Sequence, residues 1–434
     1  MLVQRDLLGT IGPFLPREEY LAVVGPRQSG KTTLLTLLQQ HLVEEHGVSP
    51  DSIQVVTFED RRLLRQFEED PTGFVRSYRE IADGPRLYLM MDEFQYATDG
   101  GQKLKLAYDS LEDVKIIVTG SSSLDIKAHV SRFMVGRMLS FQLLPFNFGE
   151  TLRSRDKRLH GLYARHSGNL RNYVFNGALA EMDAGPDPYR EELTTAFENY
   201  CIWGGYPAVV LAPTALEKHK LLRDIYNAYV LKDIKTLLEL ATEDELFRLS
   251  QFLSTRIGNR VVYQNLCNAS GLNHRQMKKH LKILEETFVC RLLKPFFRNK
   301  QKELSKNPKA YFLDLGFRNS LMENMRGLDQ RSDAGAVVEN AVFVRLHELC
   351  RERGGLHFWR KKTGTEVDFV IRSGAGPIPI EVKYRSYDAE QVPRGLRSFI
   401  RRFGPDRAVV LTKDFWGQAR CEETSVLFAP VYYV

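Results

Sequence analysis

Nine consecutive residues, Gly25, Pro26, Arg27, Gln28, Ser29, Gly30, Lys31, Thr32 and Thr33, have the types and spacing to hold a polyphosphate. They follow an apolar run, Leu21-Ala-Val-Val24, and lead into Leu34-Leu-Thr-Leu-Leu38, so the chain reads strand, glycine-bearing turn, helix. The glycines let backbone N–H groups turn toward an anion. Lys31 can then reach β- and γ-phosphates and Thr32 can offer its hydroxyl to Mg²⁺, at a helix N-terminus whose dipole favours negative charge. A second apolar run, Arg86-Leu-Tyr-Leu-Met-Met91, closes with two carboxylates, Asp92 and Glu93. Delivered beside the turn by a neighbouring parallel strand, Asp92 would hold Mg²⁺ through water and Glu93 would orient or deprotonate an attacking water. The two runs together imply binding of a nucleoside triphosphate with Mg²⁺, and its hydrolysis.

A second constellation lies near the C-terminal end. Glu339 sits on a helix-like stretch, Asp368 within Glu366-Val-Asp-Phe-Val-Ile, and Glu381 and Lys383 within Pro379-Ile-Glu-Val-Lys. The last two pieces read as strands joined by Ser373-Gly-Ala-Gly376, so Glu381 and Lys383 share a face and Asp368 can meet them across the hairpin. Paired carboxylates hold a divalent cation, and an adjacent lysine can orient or activate a water for attack on a phosphodiester. Glu339 would complete the oxygen cage. The arrangement resembles the PD-(D/E)xK nuclease superfamily. The same four polar side chains could instead form a salt-bridged strand face on a module that cuts nothing.

These groups need a scaffold. At 434 residues the chain exceeds one ordinary core, and 43% apolar with 26% charged residues is the composition of a globular protein. No apolar run reaches membrane-spanning length and the first residues lack a signal-peptide pattern, so the reading is cytoplasmic, with no membrane partner. Cys201, Cys267, Cys290, Cys350 and Cys421 are odd in number and scattered, which suits reduced thiols and neither a disulfide framework nor a zinc site. The net charge of +7 permits a polyanionic partner without demanding one.

Residues 1–150 alternate strands, at Tyr20–Val24, Ile53–Phe58, Leu87–Met91, Lys115–Thr119 and Arg137–Leu143, with helical stretches, the pattern of a parallel sheet between helices. Residues 151–238 turn helical, interrupted by Trp203-Gly-Gly-Tyr206-Pro207, and suit a lid or connector. Within 239–325, Val262–Cys267, a turn at Ser270–Asn273 and a helix from Arg275 to Glu285 make a helix-turn-helix. Phe288–Pro295 and Lys309–Asp314 follow as wing strands. Arg275, Lys278, Lys279, Lys282, Arg291, Lys294, Arg298, Lys300, Lys302, Lys306 and Lys309 there outnumber Glu285, Glu286 and Glu303, a face suited to the phosphate backbone of DNA or to packing between domains. Arg326–Gly335, rich in Gly, Asp and Arg, reads as a linker to residues 326–434.

The order of these motifs resembles a widespread archaeal and bacterial family of AAA-type ATPases with a nuclease-like C-terminal domain. Matches continue through Met91–Gln95, Val118–Ser123, Gly136-Arg137, Leu144–Glu150 (with Asn147 where Ser is expected), Gly204–Pro207, Lys232-Asp-Ile234, Tyr311–Gly316, Glu339-Asn340, Glu366–Asp368 and Glu381–Lys383. The resemblance implies an α/β fold: an AAA-type P-loop parallel sheet with a helical lid, a winged-helix domain and a restriction-endonuclease-like α/β domain. It also implies that the nucleotide is ATP, and that Arg137 is an arginine finger supplied to a neighbouring subunit, hence a homo-oligomer, a ring such as a hexamer. Ser121 or Ser122 takes the sensor position, and Tyr206 and Pro207 belong to a Gly-x-Pro element that touches the nucleotide from the lid. Two other readings stay open: a switch-type signalling ATPase with slow turnover and a partner-binding C-terminal domain, and a DNA-tethering module in which ATP sets oligomeric state.

Overall fold

The computed structural model describes residues 2–121, 133–178, 188–226, 243–297, 299, 303, 306–351, 354–374 and 376–434. Ser122, the Lys232-Asp-Ile234 motif, Arg298, Lys300 and Lys302 lie outside them. The chain divides into two compact units, residues 1–146 with 286–289, and residues 147–285 with 290–434.

The first unit is built on five parallel strands, β1 (Tyr20–Val24), β2 (Ile53–Thr57), β3 (Leu87–Asp92), β4 (Val114–Gly120) and β5 (Met138–Gln142), in the order β2-β3-β4-β1-β5. The sequence placed all five within a residue or two. Every residue of β1, β3 and β4 is buried, the run of continuous apolar character that a parallel sheet covered on both faces demands. Because the strands run one way, the turn after β1 and the carboxylates ending β3 emerge on the same edge. Register confirms it: Val24 lies beside Gly120, and Met91 beside Val118. Lys115 is fully buried at the other edge, its ammonium donating to the carbonyls of Phe14 (2.7 Å), Arg17 (2.9 Å) and Glu19, with burial pushing it down to about 8.

The second unit joins segments distant in sequence. A two-stranded antiparallel pair, β6 (Cys290–Leu293) and β7 (Lys309–Phe312), follows the Tyr263–Ser270 and His274–Glu286 helices. A six-stranded mixed sheet holds β8 (Leu356–Arg360), β9 (Glu366–Ser373), β10 (Gly376–Lys383), β11 (Arg407–Thr412), β12 (Gly417–Cys421) and β13 (Thr424–Pro430), in the order β12-β13-β11-β10-β9-β8. β9 and β10 form the expected antiparallel hairpin. β10 and β11 are parallel, linked by the Arg394–Phe403 helix.

Two features differ from the linear reading. The helices at 148–203 pack on the C-terminal sheet: Tyr173 Oη donates to Ser425 O (3.0 Å), Arg407 Nε to Val174 O (2.9 Å) and Tyr384 Oη to Glu198 Oε1 (2.5 Å). The segment read as a linker is also tied down. The Arg331 side chain is wholly buried, pairs with Asp333 (2.9 Å) and donates to Asn319 Oδ1 (3.0 Å), while Arg318 reaches Asp333 at 2.8 Å. Arginines inside such a segment carry a buried network that composition does not distinguish from a solvated loop.

Candidate functional site

At the edge of the first sheet, the turn after β1 closes on backbone groups. Gly30 has φ +92° and caps the Lys31–His46 helix in the left-handed region that glycine tolerates, and Gln28 also has positive φ, +59°. At Gly25 a Cβ would come within 2.0 Å of the Leu143 carbonyl oxygen, so only glycine lets the loop pass. Lys31 is buried and its ammonium donates to Gly25 O (3.1 Å) and Pro26 O (3.0 Å), a cation folded over the cradle it would share with phosphates. Ser29 Oγ is buried with no hydrogen-bond partner, a polar atom that an anion in the cradle would satisfy. Behind the loop stands a residue that motif reading missed. Arg5, also buried, donates to Ser29 O (2.8 Å) and Leu144 O (2.6 Å), fixing the loop from the rear.

Thr32 Oγ1 donates to Asp92 Oδ2 at 2.6 Å, so the helix hydroxyl and the β3 carboxylate converge. Thr119 of β4, unread in the sequence, donates its hydroxyl to Asp92 Oδ1 and accepts from the Glu93 N–H (3.3 Å). A Thr one strand over, two residues before the expected sensor Ser121, therefore fixes the Asp92 carboxylate and the Glu93 backbone. Ser121 itself is buried at the end of β4. Glu93 has φ +55°, a strained conformation for a non-glycine residue, and its Oε2 accepts from Gln95 Nε2. The residues fit Mg²⁺: a hydroxyl and a carboxylate already share one point beside the phosphate loop.

Arg137 precedes β5, at the opposite edge of the sheet. Tyr20, five residues before Gly25, donates its N–H to Arg137 O, which puts roughly 16 Å of strand between Arg137 and its own phosphate loop. Its Nε lies 3.0 Å from Asp109 Oδ1 in an exposed pair. Asn147 and Glu150 make a reciprocal capping box at the Phe148–Arg155 helix, which explains an Asn where Ser was expected, since either side chain can accept the capping N–H.

In the second unit Tyr206 is buried and Pro207 opens a short helix. The glycines beside them face an internal carboxylate. Gly205 N–H donates to Asp314 Oδ2 (2.7 Å) and Phe317 N–H to Oδ1 (2.7 Å), while burial raises Asp314 to about 6 against the pull of these N–H groups. The Gly-x-Pro element thus meets an anion supplied by its own unit.

The C-terminal constellation assembles into one buried cluster of carboxylates and lysines. Glu381 Oε1 is 2.7 Å from Lys383 Nζ, Asp368 Oδ2 accepts from the Val382 N–H (2.9 Å) and lies 3.9 Å from Lys383. Glu339 is taken by a residue the sequence placed elsewhere: Lys309 Nζ stands 3.2 Å from Glu339 and 2.5 Å from Glu366, with Tyr311 Oη donating to Glu339 at 2.5 Å. Lys309 was counted in the basic face. It is almost wholly buried, as is Glu381. Burial, together with Asp368, lifts the Glu339 and Glu381 carboxyls well above the ordinary range, and Glu381 Oε2 has no hydrogen-bond partner. Burial alone would lower the two lysines, yet the surrounding carboxylates hold both raised. Four acids and two ammoniums share the cluster, and protons on the raised carboxyls relieve the excess charge. Among the described residues no group of three or more His, Cys, Asp or Glu side chains stands in position to hold a metal ion. Glu339, Asp368, Glu381 and Lys383 are thus brought into one cluster, with Lys309 and Lys383 beside the carboxylates expected to hold a cation.

Arg275, Lys278, Lys279 and Lys282 are all exposed on the His274–Glu286 helix, opposite the buried Met277, Leu281 and Leu284. Lys294 and Lys306 are exposed as well, and Arg291 is half-buried. The five cysteines are free thiols. Among the described residues no helix is long and apolar enough to cross a membrane.

Comparison with known proteins agrees with the first site. The AAA domain family matches residues 17–152, a domain of unknown function (DUF8612) residues 194–331, and another (DUF4143) residues 334–431. The chain thus carries an AAA-type P-loop domain on a parallel α/β sheet. It is similar to an uncharacterized protein of Methanocaldococcus jannaschii, 25% identical over 395 residues, 88% of this chain and 78% of the relative. It is also similar to an uncharacterized protein of Mycobacterium tuberculosis, 21% identical over 402 residues, covering 92% and 77%. Among solved structures, a Walker-type ATPase of Pyrococcus abyssi aligns over 74% of this chain and 96% of its own at 14% identity and TM-score 0.41. The ORC2 protein of Aeropyrum pernix aligns over 66% and 84%, at 14% and 0.37.

Proposed function

We propose that this chain is a Mg²⁺-dependent ATPase that couples ATP binding and hydrolysis to rearrangement of a DNA-binding module. The observation that carries it is the 2.6 Å meeting of Thr32 Oγ1 and Asp92 Oδ2 beside a glycine-bounded loop with its buried lysine. Backbone N–H groups of 25–33 hold the phosphates, and Lys31 leaves its carbonyls for the β- and γ-phosphates. Thr32 and Asp92 would hold the metal, which when bound neutralises charge on the phosphate oxygens. Glu93, released from Gln95, orients and deprotonates water. Arg137 is too far along the sheet to serve its own loop, so it serves a second copy, and the active form is a ring. The chain is organised as an ATPase core (1–150), a helical connector, a winged helix and a nuclease-like domain. The supports for the last two are the helix-turn-helix followed by the β6/β7 pair, and the helix–β8–β9–β10–helix–β11 order.

The experiment is ATP binding and phosphate release for the wild type, Lys31→Ala and Glu93→Gln. Lys31→Ala should lose binding. Glu93→Gln should keep it and turn over orders of magnitude more slowly, and undiminished turnover there would remove Glu93 from the base role.

Two observations favour slow, switch-like turnover with a C-terminal domain that cuts nothing: Gln95 holds the Glu93 carboxylate, and lysines pair with the carboxylates of the second cluster. DNA left intact in Mn²⁺ by protein that binds it supports this version.

A further inference from the structure

One feature outside both sites belongs to neither. The Arg394–Phe403 helix buries Leu396, Phe399 and Ile400 and turns Arg394, Arg397, Ser398 and Arg401 outward, a strict i, i+3, i+4, i+7 stripe. With Lys361 and Arg402 these side chains line an open groove of about 740 Å³ that presents five cations, one hydroxyl and no carboxylate. Lys361 Nζ is fixed to Ser398 Oγ at 2.5 Å. Some exposed arginines elsewhere are neutralised locally, Arg62 by Asp60, Arg158 by Glu192 and Arg420 by Glu423. On this ridge only Arg401 has such a partner among the described residues, Glu422 at 3.3 Å. Leaving like charges side by side costs free energy unless something anionic covers them.

We propose that this ridge is a second DNA contact, a phosphate track for duplex DNA that runs to the edge of the Glu381–Lys383 cluster. Guanidinium forks match phosphate oxygens in pairs. From Arg394 to Arg401 the helix advances about 10 Å, and roughly three phosphates of one strand are passed in that axial rise. The lining has no apolar centre of the kind a protein partner would bury. The track has a defined start: a Cβ on Gly395 would meet the Glu366 carbonyl oxygen at 2.0 Å and Glu381 Oε1 at 3.7 Å, so the first helical turn is seated against the cluster. The inference deepens the DNA-binding reading above and rests on it.

The test uses the full chain and a short labelled DNA duplex, with affinity followed by anisotropy across a salt series. Replacing Arg394 and Arg397 together by Gln should weaken binding and shallow the log–log salt slope by nearly two units, about 0.9 for each lost phosphate contact. Glu422→Gln frees Arg401 and should tighten binding and steepen the slope, a gain that misfolding cannot imitate. If the wild type binds and both changes leave the slope unaltered, while Lys278→Gln with Lys279→Gln reduces it, the ridge proposal is overturned and the DNA reading stands. A wild type that ignores duplex DNA at low salt, or binds only anionic vesicles, overturns both.

Discussion

The two charged sites of this molecule use lysine in opposite ways. Lys31 is buried and donates to backbone carbonyls of the loop, beside an orphaned Ser29 hydroxyl and two converging metal-ligand candidates, the surroundings of a phosphate cradle. Lys309 is buried between Glu339 and Glu366, and Lys383 lies against Glu381, so their charge is already consumed. A loop made of backbone donors stays open to ligand because it cannot neutralise itself. A cluster of side chains closes whenever the fold brings opposite charges together.

The sharpest way to break this comparison is to ask whether the open site is also incomplete. If Arg137 acts in a neighbouring copy, Arg137→Ala should lower turnover by about 10³-fold or more, the range of an arginine finger. Mixed with Lys31→Ala subunits that exchange, it should recover activity above either alone. Its exposed pair with Asp109 is no obstacle, since such pairs are worth about 1 kcal/mol or less. Wild-type turnover by Arg137→Ala monomers would sink the idea.

The closed site is tested through stability. Lys309→Met should destabilise the second unit by about 3–5 kcal/mol, because it strands two carboxylates in a site built for an ammonium. Lys31→Ala, a change in the first unit, is the control that should leave the second unit's transition unmoved. Trp203, Trp359 and Trp416 all lie in the second unit, so urea unfolding followed by tryptophan fluorescence reads that unit alone. A loss under about 1 kcal/mol would mean that Glu339 and Glu366 find water or protons as easily as they find Lys309.

How much of this was legible beforehand follows from where each partner sits in the chain. The strands of the first unit and the phosphate loop were readable because strand, turn and helix are contiguous, and continuous burial writes itself as apolar runs. The β9/β10 hairpin was readable for the same reason, down to Glu381 and Lys383 sharing a face. Lys309 was misplaced because its partners, Glu339 and Glu366, lie 30 and 57 positions further on, and a lysine among lysines looks solvated. Arg331 misled in the same way, and Arg5 and Thr119 were silent because their work is done on backbone and carboxylates brought close only by the fold. The arginine stripe on the Arg394–Phe403 helix was visible as i, i+3, i+7 spacing and passed unread beside the stronger basic run at 275–309.

The smallest expected effect is also the most discriminating for the closed cluster. Burial, then the neighbouring Asp368 charge, raises the Glu381 carboxyl above its ordinary value of 4.5 in the folded protein. A raised acid binds its proton more tightly when folded than when unfolded, so it contributes stability at low pH, and that contribution is lost as pH rises from the ordinary carboxylate range through the folded titration. The slope cannot exceed about 1.4 kcal/mol per pH unit for one proton. His347, whose buried ring is pushed down to about 3, works in the opposite sense below its ordinary 6.5, since the unfolded chain binds that proton and the folded chain does not. The quantity to measure is therefore the difference between the wild type and Glu381→Gln, which has no proton to exchange, in urea midpoint from pH 5 to 8. The wild type should fall relative to the variant as pH rises. If the difference is flat and added Mn²⁺ raises the wild-type midpoint at pH 8, Glu381 is ionised and waiting for a cation, and the contrast between an open site and a closed one would give way to two open sites.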